Sequence, residues 1–342
     1  MKRHRLCRTA QVVSSVALAM ICLQSGAGQA RAATPDVNPV VIRYLNDPGF
    51  VPSFEIADAL GFLKDKGIRI QSEGDSPGGP KSLAALTSGL ADVAGVATPA
   101  VINAIAGGAK ILCVMPRAGI NKDANSKFFV LDSSPIRTAE DLKDKSIAVN
   151  ILGAHLDYTI REYLRIHGLN KDGVKLVAVP GPQLDQTLRQ RQADMVAVGA
   201  WQSPVAGKIA AEGGVRVLFT DHDVLGDIVL ADNVMEKTFI DQHPRAVKEF
   251  VTASARAADW TAEHPVEARK LVAQILKKRG DNPAGATYWA GYGLPRHALF
   301  KDHDIKFWLD VLVREGKLKP GQFSPEDIAT NKYNASAQLA QH

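Results

Sequence analysis

The hydrophobic positions of this chain alternate between short apolar runs and amphipathic segments. Runs rich in Val, Ile and Ala predict buried strands, and segments with apolar residues every three or four positions predict helices. Starting at Val40, the predicted strands are VVIRYL, IRIQSE, DVAGVA and KILCVM; the helices are SFEIADALGFLKDK, PKSLAALTSGL and one that follows Thr98-Pro99. This alternation is typical of α/β proteins with parallel sheets covered on both faces.

A second pass with the same order of elements begins at Lys145. Its strands are SIAVNI, VKLVAV, DMVAVGA and VRVLFT, and its helices are HLDYTIREYLRIH, PQLDQTLRQRQ and one that follows Ser203-Pro204. The duplication predicts two similar doubly wound lobes, with a ligand cleft beyond the carboxyl ends of their strands. Asp92 and Asp194 start equivalent strands, at the end away from that cleft, and are interpreted as structural turn residues.

The first 32 residues have the features of a secretory signal peptide. Four basic residues precede an apolar run over residues 12–23, and Ala30-Arg31-Ala32 follows as a cleavage site. The run is too short to span a membrane, so a cleaved signal and a periplasmic location are predicted; an uncleaved anchor is the alternative.

Cleavage would change both the charge and the cysteine content. The first 32 residues contain five of the 41 Lys and Arg residues and none of the 36 Asp and Glu residues, so the net charge falls from +5 to zero. The remaining chain of about 310 residues is long enough for two lobes. Its net charge of zero argues against binding to nucleic acid. Cys113 alone remains, which excludes an intramolecular disulfide; within ILCVM it is predicted to be a buried apolar residue.

In both passes the third strand, DVAGVA in the first and DMVAVGA in the second, is followed closely by a hydroxyl residue and a proline. A Thr or Ser suits the N-cap of a helix and Pro suits its first turn, so Thr98 and Ser203 are predicted to cap the helices that they begin. The free N–H groups of such a helix start attract an anion or a carbonyl or hydroxyl oxygen. Capping alone is the other interpretation.

Several motifs together resemble a known family. SPIRTAEDLKDKSIAV at residues 134–149 resembles the pattern I-x-x-x-x-D-L-K-G-K-x-I-A-V, with Asp144 in place of Gly. Gly89-Leu-Ala-Asp92 is similar to the family's G-x-A-D turn, Ala154-His155 to a helix start, and AWQSP at residues 200–204 to its W-x-P loop. By these motifs the chain resembles the periplasmic substrate-binding proteins of ABC transporters, in the nitrate, taurine and aliphatic sulfonate group with its NMT1/THI5-like relatives.

The resemblance implies the type II periplasmic-binding fold. Residues 33–130 and 229–342 would form one lobe, with C-terminal helices wrapped around it, and residues 131–228 the other. Extended runs at residues 129–131 and 228–230 would connect the two lobes as a hinge.

The resemblance also implies a function. It predicts a monomeric receptor without cofactor or metal that binds a small polar or anionic organic solute, such as a sulfonate, taurine, nitrate or an aromatic acid, and delivers it to a membrane permease. An enzyme or a sensor on the same fold, such as a THI5-like pyrimidine-related protein, is the alternative. The sequence has no H-E-x-x-H or G-x-S-x-G motif, and Asp221-His222-Asp223 and Asp302-His303-Asp304 are interpreted as polar connections.

Ligand-binding residues are expected in the loops after the strands. His155 suits donation to an oxygen, or is a surface or capped residue; Trp201 either walls the cleft or packs in the core. Lys81 and Arg117 are interpreted as possible positive charges or solvated residues, and Leu152 and Gly153 stand where sulfonate binders tend to have hydroxyl groups. The predicted ligand-binding residues are Asn46, Phe50, Gly78, Gly79, Thr98, Asn150, Gly153, His155, Gln183, Trp201 and Gln202.

Overall fold

The protein folds as alternating strands and helices, and its computed structural model describes residues 38–76 and 78–338. The predicted signal peptide lies outside the described residues. None of the helices in the described part combines the length and the apolar character needed to cross a membrane. The strands are β1 (Val40–Asn46), β2 (Ile68–Asp75), β3 (Ala94–Ala97), β4 (Ile111–Ile120), β5 (Lys127–Leu131), β6 (Ser146–Val149), β7 (Lys175–Ala178), β8 (Met195–Val198), β9 (Val215–Thr220) and β10 (Ile228–Glu236).

The helices include most of those that the sequence predicts. They are α1 (Ser53–Ala59), α2 (Gly79–Thr87), α3 (Thr98–Ala106), α4 (His155–Ile166), α5 (Leu184–Arg189), α6 (Ser203–Glu212), α7 (Asp221–Leu225), α8 (Lys237–Gln242), α9 (Pro244–Glu263), α10 (Pro265–Arg279), α11 (Asp302–Arg314) and α12 (Pro325–Ile328). The first helix is shorter than predicted, because Gly61 has a φ of +74° just after the last turn, a left-handed conformation that favours glycine and ends helices.

The strands form two sheets with the same order of equivalent strands. In the first sheet β1 pairs with β2, β10 lies between β3 and β4, and the N–H groups of Asp92 and Val93 donate to the carbonyl of Arg43 and so connect β3 to β1. The first sheet therefore runs β2-β1-β3-β10-β4. The second sheet runs β7-β6-β8-β5-β9. This α/β architecture confirms the predicted fold class. The matching strand orders correspond to the repeat in the sequence.

The prediction of purely parallel sheets is wrong for one strand in each sheet. β5 is antiparallel to β8 and β9, and β10 is antiparallel to β3 and β4. The chain enters each of these strands from the other sheet, from β4 into β5 and from β9 through the short α7 into β10, so neither strand follows a neighbour in its own sheet through a crossover helix. The two extended connecting runs of the sequence are thus parts of β5 and β10.

Equivalent aspartates join equivalent strands in the two sheets. The Asp92 carboxylate accepts hydrogen bonds from the Arg43 backbone N–H at 2.8 Å and from the Arg43 guanidinium. The Asp194 carboxylate accepts from both the backbone N–H and the hydroxyl of Ser146, each at 2.8 Å. Asp92 and Asp194 come just before β3 and β8, and their bonds to β1 and β6 agree with the interpretation of these residues as structural.

The C-terminal helices pack against the first sheet. Phe250 of α9 is fully buried, with its ring 5.3 Å from that of Phe54 in α1, and Trp308 of α11 is fully buried against the other face. Cys113 is buried in the same cluster as Trp308, as its sequence context predicts.

Candidate functional site

Thr98, at the end of β3, is buried instead of capping a helix. Ala97 occupies the N-cap of α3, Gln202 occupies the N-cap of α6, and neither cap makes a side-chain hydrogen bond. The predicted capping by Thr98 and Ser203 is therefore wrong: each hydroxyl residue is the first residue of its helix. Thr98 is fully buried, and its hydroxyl has no hydrogen bond of good geometry to any described residue.

A buried carboxyl group lies beside Thr98. Asp232 of β10 is fully buried, and its Oδ2 accepts a weak hydrogen bond from the Cys113 thiol at 3.4 Å. Burial raises the pKa of Asp232 to about 7; the neighbouring Thr98 and Cys113 oppose this shift and the Asp304 charge adds to it. Asp232 therefore keeps its proton to a higher pH than an ordinary aspartate does.

Phe50 and Arg117 meet at the same edge of the first sheet. Phe50 is buried, and the guanidinium carbon of Arg117 lies 4.4 Å from the centre of its ring. Arg117 also forms an ion pair with Asp47, in the loop after β1. The sequence allows Arg117 to be either a positive charge of the site or a solvated residue. In the structure only 11 % of its side chain is exposed. Lys81, in contrast, is exposed.

The other predicted residues of the first sheet surround this point. Asn46 donates from Nδ2 to Asp75 at 3.0 Å, and its buried Oδ1 has no partner within residues 38–76 and 78–338. Gly79 begins α2 against β3: a Cβ placed on it would lie 3.7 Å from the Gly95 carbonyl oxygen. Gly78, just before it, has a φ of +154°.

His155, the first residue of α4, is buried in a polar pair on the side of the second sheet. Its Nε2 lies 2.9 Å from Oδ2 of Asp221, and both side chains are almost completely buried. The other Asp221 oxygen accepts from the Ser126 backbone N–H at 2.8 Å. The other ring nitrogen of His155, Nδ1, is buried with no partner in the described part of the chain. The sequence had placed Asp221 in a mere polar connection.

Trp201 lies at the junction of several apolar clusters. It is half-buried and packs against the cores of both sheets, and its ring centroid is 6.1 Å from that of His155. A side chain at Gly199 would overlap the Trp201 ring, since a Cβ there would come within 2.5 Å of it. This placement is compatible with a wall between the two sheets and with a packing role, the two alternatives that the sequence leaves open.

The remaining residues of the second sheet differ in exposure. Gln202 accepts from the Gly199 N–H at 3.1 Å, and its amide nitrogen lies against Gly181. Asn150 is half-buried at the end of β6, whereas Gly153 and Gln183 are exposed. The candidates of the second sheet therefore differ in how far they are buried, and their role in binding stays a prediction.

Contacts between the two halves occur on three sides of these residues. A Cβ on Gly78 would lie 3.5 Å from the Ile151 side chain, and the His155 ring is 5.6 Å from that of Trp308 in α11. α6 packs on the 3₁₀ helix Pro283–Tyr288, where a Cβ on Gly285 would come within 2.6 Å of Pro204. These contacts bring the two sheets together beside Gly78 and His155, two of the predicted residues.

Two surface cavities lie elsewhere. The larger, of about 450 Å³, is at the opposite edge of the first sheet and is lined by residues that include Arg43, Glu236 and His243. The smaller lies between α11 and α12. Neither is lined by a predicted site residue. Within the described ranges, no group of three or more His, Cys, Asp or Glu side chains is arranged to hold a metal ion.

Comparison with known proteins agrees with this architecture. Residues 51–268 match the NMT1/THI5-like family. The periplasmic aliphatic sulphonate-binding protein SsuA of Escherichia coli superposes with a TM-score of 0.67 at 18 % identity, over 85 % of this chain and 91 % of that one. SsuA of Xanthomonas axonopodis pv. citri, bound to MOPS, gives 0.68 at 19 %, over 86 % and 99 %.

An enzyme shares the same fold. The desulfurization enzyme DSZB superposes with a TM-score of 0.63 at 15 % identity, over 89 % of this chain and all of that one. At these identities the structural similarity shows the fold alone. No curated protein sequence gives a significant match to the chain.

Proposed function

Because the chain belongs to the NMT1/THI5-like family, we propose that it is the solute-binding component of an ABC importer. It would bind a small polar or anionic organic molecule between two lobes and deliver it to a membrane permease. We also propose that the protein is exported to the periplasm, with a signal peptide over residues 1–32, and acts as a monomer. The lobes would be residues 33–130 with 229–342, and residues 131–228.

The observation that carries this proposal is the enclosure of polar groups from both sheets. Asn46 of the first sheet and His155 of the second each have a buried polar atom with no partner among the residues described, whereas the Thr98 hydroxyl has the Asp232 carboxyl beside it. An unpartnered buried polar group costs about 1–3 kcal/mol, so such atoms need a reason. A ligand with hydrogen-bonding groups, held between the lobes, would satisfy them.

The sulfonate-binding neighbours favour an anionic head group for this ligand, whereas two residues at the start of α4 favour a wider class than sulfonates. Leu152 and Gly153 bring no hydroxyl group to the start of α4, and both are exposed. We therefore propose the wider class of small organic anions, including aromatic acids, with sulfonates as one member. Closure of the lobes would then depend on how much better the closed form binds that anion.

The test is thermal unfolding of the exported protein against taurine, alkyl and aryl sulfonates, nitrate and aromatic carboxylates. A ligand at a hundred times its dissociation constant stabilises the folded protein by about 2.7 kcal/mol, which shifts the unfolding temperature measurably. If every compound fails, the protein is denatured and any released solute is identified by mass spectrometry. Chemical conversion of a ligand on incubation would support the enzymatic alternative instead.

Trp201→Ala should weaken the binding of any ligand found in this way by about 30-fold, because a ring between the two cores is lost from the site. The empty protein should lose less than the 3–5 kcal/mol typical of a fully buried Trp, since Trp201 is half-buried. Trp260→Ala is the control: Trp260 is also half-buried but stacks on His264 at the end of α9. Calorimetry and urea unfolding of both variants decide; a large loss of stability with unchanged affinity would make Trp201 a core residue.

A further inference from the structure

The Arg117 side chain is held at the edge of the first sheet by Asp47 and Phe50. Its Nη2 donates to Asp47, and its guanidinium lies 4.4 Å from the centre of the Phe50 ring, within the range of a cation–π contact. A Cβ on Gly95 would overlap the guanidinium, so the glycine leaves the space that Arg117 occupies. Gly79, at the start of α2, adjoins Gly95. Arg117 therefore lies among residues of the predicted site.

The hydrogen-bonding groups of Arg117 are incompletely satisfied. A guanidinium has five N–H donors, yet Asp47 is its only hydrogen-bond acceptor within the described residues, and Nε is buried with no partner there. A buried charge is normally paired and fully hydrogen-bonded, because the cost of removing it from water is several kcal/mol. The Nε–H of the guanidinium is thus left without an acceptor in the described part of the chain.

Arg279 shows that the fold can saturate an arginine when its role is structural. The two side chains have the same exposure, 11 %. Arg279 donates to the carboxylates of Glu55 and Asp281 and to the backbone carbonyls of Asp47 and Phe50. It thereby fixes the loop that carries Asp47. The contrast assigns different purposes to two arginines a short distance apart.

We propose that Arg117 selects the anionic head group of the solute and that Asp47 is its internal competitor. In the empty protein the Asp47 carboxylate neutralises the guanidinium; a bound carboxylate, sulfinate or sulfonate accepts from the Nε–H, with its apolar part beside Phe50. Asp47 then repels the incoming anion, so the affinity reflects a balance between the two negative groups. This inference rests on the proposed function and adds the residue that sets the charge of the solute.

The experiment compares four variants with butanesulfonate and benzoate as anionic probes, and with butanesulfonamide and benzamide as uncharged analogues. Arg117→Gln should weaken binding of an anion by about 30-fold, as expected for lost hydrogen bonds to a charged group. Asp47→Asn should strengthen it by about 10-fold, because the competing charge is removed. Binding of the amides should change by less than about threefold in either variant. Arg256→Gln is the control. Arg256 of α9 has its guanidinium carbon 3.9 Å from the centre of the Phe62 ring, and its replacement should leave the affinity for all four compounds unchanged.

The two single variants are expected to change the affinity for anions in opposite directions. If Arg117→Gln folds poorly, Asp47→Asn still tests the inference, because it retains Arg117. The double variant Asp47→Asn with Arg117→Gln should bind the anions less tightly than Asp47→Asn but more tightly than Arg117→Gln alone, because the unpaired Asp47 charge is gone. Equal affinity of the wild type and Arg117→Gln for an anion would overturn the inference, as would weaker binding by Asp47→Asn. Failure of both anions to bind any of these proteins would also overturn it.

The proposed function can survive that failure and is judged separately. If the purified protein releases a neutral solute on denaturation, and Arg117→Gln rebinds this solute as well as the wild type, the receptor function stands and the role of Arg117 falls. If no solute is released and no compound of the wider panel binds, the receptor function falls as well.

Discussion

Asp232→Asn should flatten the pH dependence of stability between about pH 4 and pH 7. In the folded protein burial raises the pKa of Asp232 to about 7, whereas an unfolded aspartate titrates near 3.9. Between these values the folded state holds a proton that the unfolded state has lost. Stability contributed by this group is therefore fully present at low pH and is lost as the pH rises to about 7, by up to about 4 kcal/mol.

The asparagine variant stays neutral at all these pH values. We expect it to equal the wild type near pH 4.5 and to be more stable by several kcal/mol at pH 8, since no charge needs to be buried. Urea unfolding at closely spaced pH values measures this difference. Asp172→Asn, at an exposed position, is the control and should keep the wild-type slope. An unchanged slope in Asp232→Asn would mean that Asp232 is ionised in the folded protein despite its burial.

This titration bears on the candidate site because Asp232 adjoins Thr98. At pH 8 an ionised Asp232 would place a negative charge beside the start of α3, where an anionic solute is proposed to bind, and would weaken that binding. The register of β10 fixes this proximity: Asp232 pairs with Val96 of β3 and with Pro116 of β4. The aspartate therefore lies in the strand that returns the chain from the second sheet.

The sequence predicts the fold well because the fold is repeated and locally encoded. Each strand–helix pair has its own hydrophobic period, and the repeat shows two sets of them. The direction of β5 and β10 is not encoded locally. It depends on pairing with strands far away in the chain, such as Phe128 with Ala197. A short apolar run gives no indication of which partners it will find.

The candidate site was predicted less completely for the same reason. A local capping rule predicted Thr98 to be an N-cap. Its hydroxyl is instead buried beside Asp232, which comes from a distant strand. Asp47 and Arg117 are 70 positions apart, and His155 and Asp221 are 66 positions apart. A single sequence names the residue types that suit a site, but only packing of the sheets pairs them.

Gly293→Ala should cost about 3 kcal/mol or more of unfolding free energy, from two separate causes. Gly293 has a φ of +63°, a left-handed conformation that disfavours alanine, and a Cβ there would overlap the carbonyl oxygen of Gly119. The close approach is held by a hydrogen bond from the Gly119 N–H to the Tyr292 carbonyl at 2.8 Å. Because both obstacles are backbone, no side-chain rotation relieves them.

Gly291→Ala separates the two causes. Gly291 has a φ of +95° but no atom within 4 Å of its Cβ position, so this variant should lose only about 1–2 kcal/mol. Urea unfolding of both variants gives the difference that belongs to the close approach; equal losses would show that the overlap is relieved by a small shift of the loop.

Such a shift would still affect ligand binding. The Tyr292 hydroxyl donates to the Val51 carbonyl at 2.7 Å, and its ring lies 6.0 Å from that of Phe50, on which Arg117 is stacked. Gly293 also adjoins Gly119, which pairs with Val229 where β10 enters the first sheet. We therefore expect Gly293→Ala, if it folds, to weaken binding of butanesulfonate or benzoate in calorimetry, while Gly291→Ala binds as the wild type does. Loss of stability without loss of affinity would confine the role of this glycine to the fold.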